Sequence, residues 1–340
     1  MIEDGSRRAA EQVRAGFGLR VSAMEQVTHG ADQHARLWLA HTVDGGRYAV
    51  KMSGGGTAAG LVVTAYLADQ GVPGIAAPLR TRDGGLSVDH DGRRLSVVPW
   101  VSDQRALDGP MTEAHWRAYG EVLAAVHAVP VTEELRRLLP AGGAAYPSIV
   151  ASTRAVAERL CDPGRRDPAA PSVGELAAVW SAAAGQIRLL TREVERLAVD
   201  QPARPGPDVV CHGDPHLGNL LLGRDGQVWL IDWDDAVLAP PECDLMFVLG
   251  GVLAFAPVSA FQQDAALAGY GAVDVDPARL AWFLAVRALD DLTDWTRQAL
   301  DPDAETADRD RAARIVRGLV SEVGLVTLAD VALRDLDRRS

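Results

Sequence analysis

The chain has 340 residues, and its content of 48% hydrophobic and 24% charged residues is typical of a globular protein. A net charge of −12 opposes binding to a nucleic-acid backbone and suits a cationic small molecule. No stretch approaches the roughly 18 apolar residues of a membrane span, and residues 1–4 do not resemble a signal peptide, so we expect a cytoplasmic protein without a membrane partner.

The first hundred residues alternate short strands with turns. Apolar periodicity predicts a helix at 6–16, strands at 21–28, 35–42 and 47–52, a helix at 57–70, and strands at 86–88 and 95–100. The third of these strands carries Lys51, which is the only lysine in the chain although lysine and arginine total 34. A compact ammonium group and a planar guanidinium group are not interchangeable. We therefore predict that Lys51 has a function that arginine cannot serve.

The rest of the chain is mainly helical by its pattern. Thr112 is a good N-cap for the helix that follows it. Further helices are predicted within 131–206, including one long helix at 172–199, and then near 242–255, 258–268, 276–299, 305–323 and 327–337. The sequence therefore predicts an α+β protein with a small β-rich lobe, residues 1–101, and a larger helical lobe, residues 102–340.

Most of the candidate catalytic and metal-binding residues lie in one stretch of the sequence. Two apolar runs, 219–222 and 228–231, flank an Asp-Gly turn and predict a β-hairpin. Polar residues stand at both open ends of this hairpin: His212, Asp214 and His216 lie just before the first strand, Asn219 opens it, and Asp232 and Asp234 follow the second. Antiparallel pairing brings these ends together. A carboxylate that can accept a proton, beside amide and carboxylate oxygens for Mg²⁺, is what phosphoryl transfer requires.

This stretch resembles the catalytic and metal-binding loops of the aminoglycoside phosphotransferases. Their pattern His-Gly-Asp-x-His-x-x-Asn matches residues 212–219, and their Ile-Asp-Trp matches residues 231–233. Residues 238–247 are most similar to the spectinomycin branch. The resemblance implies a two-lobed protein-kinase-like fold. It also implies an O-phosphotransferase that moves the γ-phosphate of ATP or GTP to a hydroxyl group of an aminoglycoside-like or aminocyclitol-like antibiotic, giving resistance.

The resemblance also implies roles for individual residues. Asp214 is the expected catalytic base, and Asn219 and Asp232 are the expected Mg²⁺ ligands. The expected nucleotide-binding residues are Lys51, His29 and Gly30 of the first loop, and Pro99, Trp100 and Val101 of the hinge between lobes. Four further residues are expected to support the site structurally, namely His212, His216, Asp234 and Asp244. Asp234 could also bind metal through water.

The chain departs from the kinase pattern in the helix at 57–70. Kinases place a glutamate there to pair with the lysine, but the only acidic residue of this helix is Asp69, at its far end. Either another carboxylate holds Lys51, with Asp232 as a candidate, or the lobe orders only when nucleotide binds.

The helix at 276–299 supplies the predicted acceptor site. Arg287, Asp290, Asp291 and Asp294 are spaced at i, i+3, i+4 and i+7, which places them on one face. Such a stripe is commonly only a solvated surface. It is nevertheless similar to an Arg-x-x-Glu-Asp run in spectinomycin-type kinases, so we predict that it binds a cationic antibiotic, with Asp294 the weaker candidate.

Three alternatives remain open. The acceptor could be another glycosylated or nucleoside antibiotic, or a metabolite such as choline or homoserine. The missing helix glutamate is compatible with a non-catalytic nucleotide-binding module. His212, Asp214 and His216, together with Asp232 and Asp234, could instead hold the metal of a hydrolase. The sequence does not distinguish ATP from GTP, nor does it give the oligomeric state.

Overall fold

The computed structural model describes residues 2–27, 35–55, 57–161, 171–200, 206–250, 252–253 and 255–339. The chain forms two compact units. The first comprises Met1–Leu139, His212–Ala236 and Ala268–Gly271, and the second comprises Pro140–Cys211, Val237–Leu267 and Ala272–Ser340. The lobe boundary between residues 101 and 102 stays a prediction. Within the described ranges, no helix combines the length and apolarity needed to cross a membrane.

The strands, in chain order, are β1 (Val21–Val27), β2 (Ala35–Thr42), β3 (Arg47–Ser53), β4 (Val88–His90), β5 (Arg93–Pro99), β6 (Gln104–Arg105), β7 (Val209–Cys211), β8 (Leu220–Leu222), β9 (Val228–Leu230) and β10 (Val237–Ala239). The helices are α1 (Ile2–Phe17), α2 (Ala59–Asp69), α3 (Glu113–His127), α4 (Glu133–Leu138), α5 (Tyr146–Cys161), α6 (Pro171–Ala182), α7 (Ala184–Asp200), α8 (Glu242–Leu249), α9 (Ala260–Tyr270), α10 (Pro277–Ala299), α11 (Thr306–Leu319) and α12 (Leu325–Arg339).

The first unit contains an antiparallel sheet in the order β1-β2-β3-β5-β4. Its central strand, β3, pairs Lys51 with Leu37 of β2 on one side and with Ser96 of β5 on the other. Apolar side chains of the sheet, such as Trp38 and Leu95, pack in one buried cluster with residues of α1. Because β3 is held by hydrogen bonds along both edges, the backbone at Lys51 is firmly positioned.

The predicted hairpin is present in the first unit. β8 and β9 pair antiparallel with Leu221 opposite Trp229, and the chain reverses through residues 223–227. Asp225 at the turn has a φ of 56°, a left-handed conformation that aspartate adopts more readily than most residues. The predicted N-cap is also present, since the Thr112 hydroxyl accepts a hydrogen bond from the His115 amide at the start of α3.

The second unit is built around α10. This helix packs against α5, α7, α8, α11 and α12, and its apolar face is buried. Among the buried residues of this face are Trp282, Val286, Leu289, Leu292 and Thr296. The stripe formed by Arg287, Asp290, Asp291 and Asp294 is the less buried face of the same helix.

Two predicted helices differ from the structure. The helix predicted at 172–199 is two helices, α6 and α7, with a turn at Ala183. The interruption is short, because the Ala183 amide still donates to the Val179 carbonyl at 3.1 Å and the Ile187 amide donates to the Ala183 carbonyl at 3.0 Å. The helix predicted at 242–255 ends at Leu249, because Gly250 and Gly251 follow and glycine costs about 1 kcal/mol in a helix interior.

Candidate active site

The loop between β7 and β8 carries Asp214, and its backbone lies close to another turn of the first unit. A Cβ atom on Gly213 would collide with the backbone carbonyl of Asp235, and Gly213 has a φ of 84°. Only glycine satisfies both conditions at low cost. The buried Tyr119 hydroxyl donates to the carbonyl of Pro215 at 2.6 Å, which fixes the loop from the side of α3.

His212 links two backbone segments of the site. Its Nδ1 accepts a hydrogen bond from the Asp214 amide at 3.2 Å, so its Nε2 carries the proton that it donates to the Ile231 carbonyl at 2.9 Å. The residue is completely buried, and its ring lies 4.6 Å from the ring of Trp233, centroid to centroid. The imidazole therefore joins the Asp214 loop to the end of β9.

The Asp214 carboxylate is held by two neighbours. The Gly218 amide donates to His216 Nδ1 at 2.8 Å, which directs His216 Nε2 toward Asp214 Oδ2, 3.4 Å away. Asn219 Nδ2 donates to the Asp214 carbonyl at 2.8 Å and lies 3.5 Å from Oδ2. The Asp214 side chain is only 15% exposed. This geometry orients a carboxylate that could accept a hydrogen bond from an incoming hydroxyl group.

Asn219 and Asp232 meet at the open end of the hairpin. Asn219 ends a 3-10 turn, Leu217–Asn219, just before β8, and its carbonyl accepts a hydrogen bond from the Ile231 amide at 2.9 Å. Since the Asn219 nitrogen faces Asp214, its Oδ1 is the atom available to a cation. The Asp232 carboxylate is 48% exposed. Amide and carboxylate oxygens at a partly hydrated position suit Mg²⁺, which keeps several waters when bound.

Lys51 is paired with two carboxylates from the turn after β9. Its Nζ lies 3.0 Å from Asp232 Oδ1 and 2.7 Å from Asp234 Oδ2. Burial by itself would lower the pKa of Lys51, but the charges of Asp232 and Asp234 outweigh it and hold the pKa well above the ordinary lysine value. Of the two possibilities that the missing helix glutamate left open, the structure therefore supports another carboxylate as the partner of Lys51.

The turn that carries these carboxylates is held tightly. Asp232 has a φ of 64°, and a 3-10 turn, Trp233–Asp235, follows it. The buried indole of Trp233 donates to the Leu230 carbonyl at 3.1 Å. α2 packs on the backbone of this turn so closely that a Cβ on Gly60 would lie 2.6 Å from the Trp233 carbonyl oxygen. Gly60 is not among the residues predicted for the site, although a glycine inside a helical pattern can signal a close approach.

The hinge residues lie at the end of β5, with Pro99 its last residue. Pro99 has no N–H, and the Trp100 amide donates to the Arg47 carbonyl at 2.9 Å, so Val101 is the hinge residue that can offer an amide to a purine. The Trp100 indole donates to Asp103 at 2.7 Å. Asp103 also accepts from the Arg47 guanidinium at 2.9 Å, and the hydrogen bond from Arg47 keeps the pKa of Asp103 below its usual value.

The remaining predicted residues lie elsewhere. Asp290, Asp291, Asp294 and Arg287 are in α10 of the second unit, where Arg287 Nε contacts Asp291 Oδ1 at 2.8 Å. Asp294 is exposed and lies 3.5 Å from Arg297. Asp244 is completely buried in α8 of the same unit. His29 and Gly30 lie outside the described residues. The first unit alone therefore brings together Lys51, Asp214, His212, His216, Asn219, Asp232 and Asp234.

Comparison with known sequences matches the chain to a family and to a curated protein. Residues 25–283 match the phosphotransferase enzyme family. The uncharacterized protein sll1119 of Synechocystis sp. is 26% identical over 218 residues, which are 61% of this chain and 53% of that protein. The chain thus spans about half the length of this curated relative.

Comparison with solved structures identifies the fold. Spectinomycin phosphotransferase APH(9)-Ia, in complex with ADP and spectinomycin, aligns with a TM-score of 0.85 at 21% identity, over 96% of this chain and 98% of that one. Amicoumacin kinase hAmiN, in complex with AMP-PNP, Ca²⁺ and Ami, aligns with a TM-score of 0.62 at 15% identity, over 95% and 98% of the two chains. The likeness shows the α+β, protein-kinase-like fold that the sequence predicts.

Proposed function

This chain belongs to the phosphotransferase enzyme family, and we propose that it transfers the γ-phosphate of a nucleoside triphosphate to a hydroxyl group of a small molecule. One observation carries the proposal. An oriented carboxylate, Asp214, lies in the same unit as the oxygens of Asn219 and Asp232 and the ammonium of Lys51. Positioning and charge stabilisation of this kind account for most of the catalysis in phosphoryl transfer.

Asp214 is the proposed base. Its carboxylate would accept the hydrogen bond of the acceptor hydroxyl and take up its proton as the phosphate moves. His216 at 3.4 Å and the Asn219 amide fix the direction of this carboxylate. A base that is held in place loses less entropy when the acceptor binds, and such a base typically contributes 10²–10⁴-fold to the rate.

Asn219 and Asp232 are the proposed Mg²⁺ ligands. Both offer oxygen atoms at the open end of the hairpin, which fits the preference of a hard cation. When bound, Mg²⁺ would neutralise negative charge on the phosphates. Lys51 would add a second positive charge there, because its ammonium lies within 3.0 Å of Asp232. Val101 would donate its amide to the purine of ATP or GTP.

The proposed acceptor is a cationic antibiotic of the aminoglycoside or aminocyclitol type. The complex of APH(9)-Ia with ADP and spectinomycin and the net charge of −12 support this class, as does the acidic stripe on α10. Asp290 and Asp291 would orient a protonated amine, with Arg287 holding Asp291 in place at 2.8 Å. Asp294 is the weaker candidate because it is exposed and lies near Arg297.

The test is a phosphorylation assay by mass spectrometry. ATP and GTP are each supplied with Mg²⁺ and a panel of aminocyclitols, aminoglycosides, nucleoside antibiotics, choline and homoserine. We expect a gain of one phosphoryl group on one class of acceptor. Release of inorganic phosphate without a phosphorylated acceptor would favour a hydrolase, and nucleotide binding without turnover would favour a binding module; either result refutes the proposal.

A matched pair of variants assigns the base. Asp214→Asn keeps the shape of the side chain but removes its charge, so turnover should fall about 10²–10⁴-fold while nucleotide affinity changes by only a few fold. Asp225→Asn makes the same change at the exposed hairpin turn and should leave turnover unchanged. Wild-type turnover in a folded Asp214→Asn protein would remove Asp214 from the mechanism.

A further inference from the structure

The helix after β3 cannot supply a carboxylate to Lys51. Within α2 the only acidic residue is Asp69, and its carboxylate lies 3.8 Å from Arg80. The start of this helix packs directly on the turn after β9, because Gly60 has no room for a Cβ against the Trp233 carbonyl. No long side chain therefore fits between the helix and the turn at this point, and the partner of the lysine comes from the turn itself.

Two carboxylates of that turn contact Lys51, and Asp234 is the nearer one. Its Oδ2 lies 2.7 Å from the ammonium, against 3.0 Å for Asp232 Oδ1. The left-handed conformation of Asp232 and the 3-10 turn after it direct both side chains to the same side, although they are two residues apart. The anchored indole of Trp233, between them, holds this arrangement.

This inference rests on the proposed function, in which the carboxylates of Asp232 and Asp234 have different roles. Asp232 is a proposed metal ligand, and a carboxylate that binds Mg²⁺ attracts an ammonium less strongly because the charges of the two cations oppose each other. Lys51 then needs a second partner to stay directed at the phosphates. We propose that Asp234 is the positioning residue for Lys51, in place of the helix glutamate that kinases use, and that it leaves Asp232 for the metal.

A competing assignment would make Asp234 a third metal ligand. The two assignments differ in the absence of metal. A positioning residue acts on Lys51 and on nucleotide binding whether or not Mg²⁺ is present, whereas a metal ligand acts only when the cation is bound. Lys51 is the sole lysine of the chain, so an amine-acylating reagent followed by peptide mapping reports on this one side chain without interference from other lysines.

The experiment compares Asp234→Asn with Asp235→Asn and Asp234→Glu. Asp235 lies in the same turn and is exposed, so its substitution controls for the loss of one negative charge. The readouts are ADP affinity in EDTA, the Mg²⁺ concentration that gives half-maximal turnover, and the acylation rate of Lys51 at fixed pH without metal. Thermal melting checks that each variant is folded.

We expect Asp234→Asn to weaken ADP binding in EDTA about two- to fivefold, as for the loss of a partly exposed ion pair. Lys51 acylation should rise severalfold, and the Mg²⁺ requirement should increase because Lys51 then competes for Asp232. Asp234→Glu should restore part of each effect, and Asp235→Asn should match the wild type. The inference is overturned if Asp234→Asn matches Asp235→Asn in EDTA, or if only the Mg²⁺ requirement changes.

Failure of the proposed function gives a different result. If the wild type phosphorylates no acceptor, the proposed function is wrong, yet Asp234→Asn would still raise Lys51 acylation and weaken ADP binding in EDTA. If the wild type is an active kinase and these two readouts do not move, the proposed function stands and the role of Asp234 is wrong.

Discussion

Gly60→Ala tests whether the contact between α2 and the turn after β9 positions the site. The added Cβ would lie 2.6 Å from the Trp233 carbonyl oxygen and 2.8 Å from the carbonyl carbon, about 0.8 Å short of the 3.4 Å at which ordinary contacts begin. Either α2 or the turn must therefore move by about that distance. The same turn carries Asp232 and Asp234, so the movement reaches the proposed metal ligand and the partner of Lys51.

The expected magnitude follows from two opposing effects. Overpacking costs about 1–3 kcal/mol, while alanine gains at most about 1 kcal/mol over glycine in a helix. We expect a net loss of about 1–2 kcal/mol in the free energy of unfolding. A displacement approaching 1 Å can cost up to about 10²-fold in function. The gain in nucleotide affinity that Mg²⁺ brings should fall about tenfold or more.

The assay combines urea unfolding with nucleotide titrations in Mg²⁺ and in EDTA. Gly185→Ala is the matched control, because Gly185 lies in α7, is exposed, and would place its Cβ in open space. That variant should be about 0.5–1 kcal/mol more stable than the wild type, with unchanged nucleotide binding. If Gly60→Ala is likewise more stable and keeps the wild-type response to Mg²⁺, the close contact does not position the turn.

Three further predictions concern Lys51 and α10. Lys51→Arg should raise the nucleotide KM and lower kcat, since a wide guanidinium group replaces a compact ammonium group between Asp232 and Asp234. Wild-type kinetics in this variant would mean that the single lysine has no special function. Because the folded-state pKa of Lys51 is raised, its stabilisation is fully present below the ordinary lysine value of 10.5 and is lost as pH rises above it. The difference in unfolding free energy between wild type and Lys51→Met should thus be constant from pH 8 to 10 and shrink at higher pH, and a difference that grows there would reverse the assigned sign. Asp290→Asn and Asp291→Asn should each raise the acceptor KM and leave the nucleotide KM unchanged, as measured by steady-state kinetics with the identified acceptor. An uncharged acceptor, or no change in either variant, would make the stripe only a solvated surface.

Local patterns in the sequence determine the loop and hairpin of the site. The Asp-Gly turn and the two apolar runs beside it specify β8 and β9, and antiparallel pairing then brings Asn219 next to the end of β9. Asp214 lies only five residues before Asn219, so its position depends on short-range geometry. The spacing of apolar residues along α10 likewise determines which face of that helix is buried. Interactions between residues that are near each other in the sequence can be inferred from the order of residue types alone.

The partner of Lys51 was decided by tertiary structure. Asp234 is 183 residues away in the chain, and nothing in the periodicity of either segment says that a strand and a distant turn will meet. The same turn is approached by α2, and Gly60 lets this helix come within contact distance of the Trp233 backbone. Such contacts depend on the shape of surfaces that form only after the chain has folded, which is why residue order alone leaves them undetermined.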